Sequence, residues 1–251
     1  MKRFKSIRIL ITIISLVLYA YPASGQSPEE ILSKVDSVQN AFSDMSATQQ
    51  MQLIDEDGRV KERVVQVQQK GEELRMVRFL EPPDVRGVGF LRIASDQLYL
   101  YLPAFRRVRR IASSTTNENF MGTDFTYEDM SQSTYSEDYT PENMSTQNGQ
   151  YRLSLLPKPK ADVNYGKLVL FSDISNYVLR KVEFYNLEDE KTKELTIEDV
   201  ERIDGYWMGK TMKMKSLDDN HETVLELSDI QFDQGLSDNE FSERTLKRPI
   251  R

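Results

Sequence analysis

From about residue 45 to residue 232 the sequence keeps returning to a period of two, and this alternation constrains the fold more than any other feature of the chain. Met45–Ile54 and Arg59–Gln69 flank Asp55-Glu56-Asp57-Gly58, where the glycine supplies the positive φ a hairpin turn needs. Glu73–Leu80 follows and is ended by Glu81-Pro82-Pro83-Asp84; Gly87–Ala94, Gln97–Leu102 and Arg106–Ile111 read as three more short strands. After an interruption the pattern resumes at Tyr151–Leu156, Lys167–Asp173, Val178–Tyr185, Lys193–Ile203, Trp207–Ser216 and Thr223–Phe232. Asn148-Gly149, Ser175-Asn176, Glu188-Asp189-Glu190, Asp204-Gly205 and Asp218-Asp219-Asn220 mark the turns. Strands joined by turns this tight pair antiparallel. No Pro/Gly/Ser-rich linker divides them, so the pattern predicts one β-rich domain over residues 26–251.

Three segments depart from period two. Ser27-Pro28-Glu29-Glu30 is a helix start, with Ser as N-cap, Pro at the first helical position and Glu three residues after the cap. Ile31, Leu32, Val35, Val38 and Phe42 then follow at helical spacing. Ser113 to Gly149 is irregular, polar and acidic, with a helical turn expected near Tyr127–Ser131. Ser237-Asp238-Asn239-Glu240 is a cap for a short helix through Phe241–Leu246. Thr211-Met212-Lys213-Met214-Lys215 is apolar on one face only, whereas Leu98-Tyr99-Leu100-Tyr101-Leu102 is apolar on both. A long antiparallel meander with one apolar face must curl, stack or be covered. A single curved sheet, its concave apolar face plugged by the helix and the 113–149 excursion, fits this mainly β (α+β) element list; a fully packed sandwich or barrel fits it too.

Residues 1–25 stand apart. Lys2, Arg3, Lys5 and Arg8 precede a nearly unbroken apolar run, Ile9 to Tyr19, and Pro22, Ala23, Ser24 and Gly25 follow. The run is short of the ~20 residues a spanning helix needs, and the order of features is that of a cleaved signal peptide. No cysteine follows it for lipid attachment, so an exported, soluble, non-lipidated protein is expected. Without that segment's four basic residues the net charge falls from −7 to −11, a poor charge for nucleic-acid binding. The chain has no Cys and one His, His221. This removes thiolate metal sites, multi-histidine metal sites and cysteine nucleophiles, and it confines any Ser–His–acid triad to one residue. No nucleophile elbow, P-loop or H-E-x-x-H motif is present. His221, in a polar turn, reads as a solvated turn residue, and neither a cofactor nor catalysis is expected.

Charge is distributed unevenly. Arg75 to Arg110 holds eight arginines and three acids, whereas residues 111–150 hold seven acids and no base. Either the two segments neutralise each other, or Arg106, Arg107, Arg109 and Arg110 contact an anionic partner, headgroup or membrane surface. In the excursion, Phe120, Met121, Phe125, Tyr127 and Met130 are more apolar than a loop crossing the surface requires. They either anchor the loop to the core or form a lid over an apolar cavity.

Three segments carry a resemblance. They are Arg78-Phe79-Leu80-Glu81-Pro82-Pro83-Asp84-Val85-Arg86-Gly87-Val88-Gly89-Phe90-Leu91, then Leu100-Tyr101-Leu102-Pro103-Ala104-Phe105-Arg106-Arg107-Val108-Arg109-Arg110-Ile111, then Phe120-Met121-Gly122-Thr123-Asp124-Phe125-Thr126-Tyr127-Glu128-Asp129-Met130. In order and spacing they resemble the outer-membrane lipoprotein-sorting protein family, a branch of the LolA-like periplasmic carriers. The resemblance implies an open half-barrel sheet with helices over its concave face. It implies a periplasmic role in carrying lipids or acylated proteins toward the outer membrane, with transient membrane contact, often beside a resistance–nodulation–division (RND) type exporter. It also implies a sheet arginine that hydrogen-bonds the helical lid, for which several arginines of 75–110 are candidates. The Pro-Pro-Asp and Arg-Arg-Val-Arg-Arg segments mark this branch rather than the lipoprotein carriers themselves, so the cargo is open between a free lipid and a lipoprotein. A non-transporting envelope interaction or sensor module on the same scaffold is the alternative. For a carrier, the expected wall residues are Met76, Tyr99, Tyr101, Leu153, Leu155, Leu168, Leu170, Val182, Phe184, Met212 and Met214. Burying ten methylenes is worth about 8 kcal/mol, against an association cost of at least ~4 kcal/mol, which leaves binding useful yet reversible.

Overall fold

The computed structural model describes residues 26–250; the signal-peptide reading of residues 1–25 lies outside the described residues. Helix α1 (Pro28–Gln39) begins as the sequence predicts. The Ser27 hydroxyl accepts from the Glu30 N–H, and the Glu30 carboxylate accepts from the Ser27 N–H. Its face of Ile31, Leu32 and Val35 is buried. Thirteen strands follow among the described residues. Six precede the excursion: β1 (Asp44–Ile54), β2 (Val60–Lys70), β3 (Leu74–Glu81), β4 (Gly89–Ala94), β5 (Gln97–Leu102) and β6 (Arg107–Ile111). Seven come after it: β7 (Tyr139–Gln147), β8 (Gln150–Pro157), β9 (Lys167–Asp173), β10 (Leu179–Tyr185), β11 (Lys191–Ile203), β12 (Tyr206–Ser216) and β13 (Glu222–Phe232).

All of them belong to one antiparallel sheet in the order β6-β5-β4-β3-β2-β1-β13-β12-β11-β10-β9-β8-β7. Every neighbour in that order is also a neighbour in sequence except one: β1 pairs with β13, joining the two meanders at the centre. The sheet does not close, and the fold is a mainly β open half-barrel rather than a packed sandwich. The topology has a direct consequence. Strands β6 and β7 are the two outer edges yet are consecutive in the chain, so residues 112–138 must travel from one edge to the other. This connection holds α2 (Tyr127–Ser131) and α3 (Tyr135–Asp138), and it crosses the concave side as a lid.

Alternation sets the two faces as the pattern requires. On β12, Met214 is fully buried and Met212 half-buried, while Lys213 pairs with Glu198 at 2.6 Å on the outer face. Leu195, Val182, Leu170 and Leu153 continue the Met214 row across successive strands toward the β7 edge. Strand β7 sits where the sequence reads as irregular. As an edge strand it is mostly exposed and polar and contains Pro141, so it lacks the apolar alternation that betrays a half-buried strand. The C-terminal helix is shorter than expected. Ser237 caps a 3-10 turn at Asp238–Glu240, and α4 (Glu243–Leu246) is capped separately by Ser242. Leu246 packs on the outer face over Gly89, where an added Cβ would lie 2.5 Å from Leu246 Cδ1.

Candidate functional site

The inner face of the sheet, α1 and the lid together enclose an apolar cavity of about 260 Å³. Met212, Leu225, Leu227 and Ile197 contribute the sheet wall, α1 supplies Val38, and the lid supplies Phe125, Met130 and Tyr135. Among the described residues no helix is long and apolar enough to cross a membrane, and no group of His, Asp and Glu side chains is arranged to hold a metal ion.

Of the expected wall residues, eight lie on the inner face: Leu153, Leu155, Leu168, Leu170, Val182, Phe184, Met212 and Met214. Met212 lines the cavity itself, whereas the other seven are packed into the core beside it. Met76, Tyr99 and Tyr101 are on the opposite face, where they pack with Leu91, Phe241 and Leu246 under α4. Their placement in the wall is therefore off by one residue. Val77, Leu98 and Leu100 occupy the inner positions instead. The cause is physical: β3 to β5 are covered on both sides, so both faces are apolar and alternation alone does not separate them.

The lid residues divide between two jobs. Phe120 and Tyr127 anchor: Phe120 packs edge-on or tilted against Phe79, Phe90 and Tyr127 with ring centroids 5.6–5.8 Å apart. Phe125 and Met130 face the cavity. Met121 is half-buried, and its carbonyl accepts from Arg63 Nη1 at 2.7 Å. A capping box fixes α2, since the Thr126 hydroxyl accepts from the Asp129 N–H while the Asp129 carboxylate accepts from the Thr126 N–H.

Basic groups on the inner face hold this acidic lid down. Arg75 Nη1 donates to the Met130 carbonyl at 2.9 Å and to that of Gln132 at 3.4 Å, and its Nη2 donates to Gln69 Oε1 at 3.0 Å. Of the candidate arginines in 75–110, Arg75 is thus the one that hydrogen-bonds the lid backbone, and Arg63 of β2, outside that span, does so as well. Burial, with the like charge of Arg92 nearby, pushes the Arg75 pKa down to about 10, so it stays charged at neutral pH. Lys193 Nζ lies 2.6 Å from Asp129 Oδ2 as a buried ion pair, and Tyr165 donates to the same carboxylate at 2.9 Å. Asp124 Oδ2 lies 2.8 Å from His221 Nδ1 and accepts from the Thr223 hydroxyl at 2.7 Å. His221 is therefore a lid anchor rather than a solvated turn residue. Sequence reasoning missed it because its partner lies 97 positions away. On the other side α1 holds α3: Asp36 accepts from the Tyr135 and Ser136 N–H groups at 2.8 and 2.9 Å.

These contacts also decide how the acidic segment is neutralised. Asp129 and Asp124 meet Lys193 and His221 on the far strands, buried Glu128 accepts from Asn164, and among the described residues no acid of the segment pairs with the neighbouring arginine run. Arg106, Arg107, Arg109 and Arg110 are all exposed at edge strand β6 and the turn before it. Among the described residues only Arg110 of these four makes an ion pair, with Asp96 at 3.6 Å.

Glu128 is the lid group most displaced from its ordinary titration range. Burial pushes its pKa up to about 7 despite hydrogen bonds from Asn164. Between the unfolded value of 4.5 and about 7, the folded chain holds a proton that the unfolded chain releases. This residue's contribution to stability therefore declines as pH rises through that window and is flat above it. Glu128→Gln should raise stability by about 1–3 kcal/mol at about pH 8 and change it little near pH 4, as measured by urea unfolding at both values.

The architecture is shared with solved structures. The crystal structure of an outer membrane lipoprotein-sorting protein domain from Vibrio parahaemolyticus matches with a TM-score of 0.80 and 31% identity, over 88% of this chain and 98% of that one. The chain belongs to the outer-membrane lipoprotein-sorting protein family. A family model described as "uncharacterized protein" matches residues 71–248, which include Arg75, Arg92 and the whole lid. A DUF1329 family protein from Desulfovibrio piger matches at 25% identity and TM-score 0.80, over 87% of this chain and 97% of that one. A LolA superfamily protein from Nitrosomonas europaea, 21% identical, shares the fold with a TM-score of 0.74 over 88% of this chain and all of that one. No curated protein matches the sequence.

Proposed function

We propose that the protein is a periplasmic carrier that shelters the acyl chains of a lipid or lipoprotein in the lidded apolar cavity and moves them across the envelope toward the outer membrane. The observation that carries this reading is the cavity itself: apolar, roofed by a segment that topology forces across the sheet, and latched by polar contacts that can be exchanged for water. The lipoprotein-sorting relative supports the class of cargo. A volume of about 260 Å³ is below the roughly 300–1,000 Å³ of ordinary small-ligand pockets, so loading a diacyl cargo requires the lid to lift. In this reading the exposed Arg106, Arg107 and Arg109 meet anionic headgroups or a membrane partner such as an RND-type exporter, and residues 1–25 direct export and are then removed.

Native mass spectrometry of protein expressed from the full chain and purified from the periplasm without detergent tests the proposal. A stoichiometric lipid or acyl-peptide adduct, identified after organic extraction, is the expected result. A bare protein mass that persists after incubation with membranes would sink it.

A further inference from the structure

A second cavity, of about 150 Å³, lies on the other side of the lid segment that follows α2, and its chemistry is the opposite of the first. Arg92 and Ser133 line it together with Glu128, Glu137, Asp138 and Asp162. Arg92 is only 3% exposed. Its Nη1 donates to the carbonyls of Glu72 and Glu73 at 2.5 and 2.7 Å, but its buried Nε has no hydrogen-bond partner among the described residues. The Ser133 hydroxyl, 8% exposed, is likewise unpartnered. No carboxylate lies within ion-pair distance of Arg92 among the described residues, although Glu137, Glu73 and Asp138 are near enough to favour its charge. A buried guanidinium with an unused N–H is an unfinished site, because burial of an unpaired donor or charge is penalised until an acceptor is supplied. Glu137 and Asp162, in contrast, are exposed and Asp138 is half-buried, which sets negative charge around the cavity's accessible part.

This polarity selects the ligand. A plain anion reaching Arg92 passes the carboxylates, and a plain cation that satisfies the carboxylates leaves Arg92 unpaired. A molecule with an anionic group and an ammonium a few bonds apart satisfies both. The position selects its source. Gln132 lines both cavities, and Arg75, on the wall of the apolar one, is the cross-strand partner of Arg92 in the polar one. A cargo whose chains occupy the apolar cavity has its polar end at this junction.

We infer that the second cavity is the headgroup pocket, and that it takes a phosphoethanolamine-type zwitterion, with the phosphate on Arg92 and Ser133 and the ammonium among Glu137, Asp138 and Asp162. This rests on the carrier reading, which it narrows from lipids in general to one headgroup class.

The test is calorimetric titration of the protein with dihexanoyl phosphatidylethanolamine, with dihexanoyl phosphatidylglycerol, and with O-phosphoethanolamine alone. The wild type should bind the ethanolamine lipid about tenfold or more tightly than the glycerol lipid, as expected for the one charge-assisted contact its ammonium adds. Arg92→Gln should weaken both lipids about tenfold, because both present a phosphate, and should leave the preference for the ethanolamine lipid in place. Because Arg92 also holds two backbone carbonyls, the double variant Glu137→Gln/Asp138→Asn at the outer rim gives an independent reading: it should abolish the preference and leave binding of the glycerol lipid nearly unchanged. Equal affinity for the two lipids, unmoved by either variant, overturns the headgroup assignment and leaves the carrier reading standing. Failure of both lipids to bind overturns this inference, while the carrier reading stands or falls on the native mass measurement. Arg92-dependent binding of O-phosphoethanolamine that gains nothing from acyl chains makes the ligand a free solute and overturns the lipid source.

Discussion

Replacing Arg75 by Met is expected to free the lid while leaving the sheet as stable as before. The guanidinium supplies hydrogen bonds to the Met130 and Gln132 carbonyls and to Gln69. Bonds from a charged donor are each worth about 1.5–3 kcal/mol, and loss of the donor leaves acceptors that the closed lid cannot satisfy. Lid opening should therefore become about 10- to 100-fold more frequent. Global stability need not fall, because an apolar side chain of similar length suits a cavity lined by Val77, Leu225 and Met130, and the desolvation that depresses the Arg75 pKa disappears. Hydrogen exchange read by mass spectrometry should accelerate over residues 120–135 with the midpoint of thermal unfolding unchanged. Lys193→Met is the contrasting case. It leaves the Asp129 carboxylate buried without its cation, a change that typically costs about 3–5 kcal/mol, so it should lower the melting temperature outright. If the two variants behave alike, Arg75 is a structural residue and not a latch.

The split between these two lysine- and arginine-based contacts reflects what the sequence made legible. The alternation located twelve of the thirteen strands, and Lys167–Asp173 and Gln97–Leu102 matched to the residue, because half-buried antiparallel strands write their faces into the chain. Strand β7 was invisible since an edge strand with polar residues and Pro141 carries no such record. The faces of β3 to β5 were ambiguous for the opposite reason: with α4 on one side and the lid on the other, Met76 and Val77 are both buried. The lid was legible as an apolar anomaly in an acidic stretch. Its attachments were not, for Asp124 to His221 and Asp129 to Lys193 span 97 and 64 positions, and no local pattern encodes a contact across a barrel. The adjacency of +5 and −7 segments suggested mutual neutralisation, and it holds in part: Arg75 bonds the lid backbone and Arg92 lies near Glu137 and Asp138, while Asp124 and Asp129 reach inward to the far strands and the β6 arginines stay exposed.

Met212→Trp should produce a protein that folds normally and binds an acyl chain much more weakly. Met212 is half-buried and faces the cavity, so a larger ring enters space that already exists instead of forcing neighbours apart. Stability should stay within about 1 kcal/mol of wild type. Each methylene excluded forfeits about 0.8 kcal/mol, so displacing three of them weakens binding by roughly 50-fold. Titration with a single-chain fatty-acid probe, alongside urea unfolding, measures both quantities. Met214 supplies the comparison because it is fully buried in the same strand and does not line the large cavity. A tryptophan there has no room and should destabilise by about 1–3 kcal/mol or more, and an aspartate there would report on folding rather than on binding. A Met212→Trp protein that folds and binds the probe as tightly as wild type would move the acyl site out of this cavity. The lid, its latches and the adjoining polar pocket would then need a different cargo to explain why they surround it.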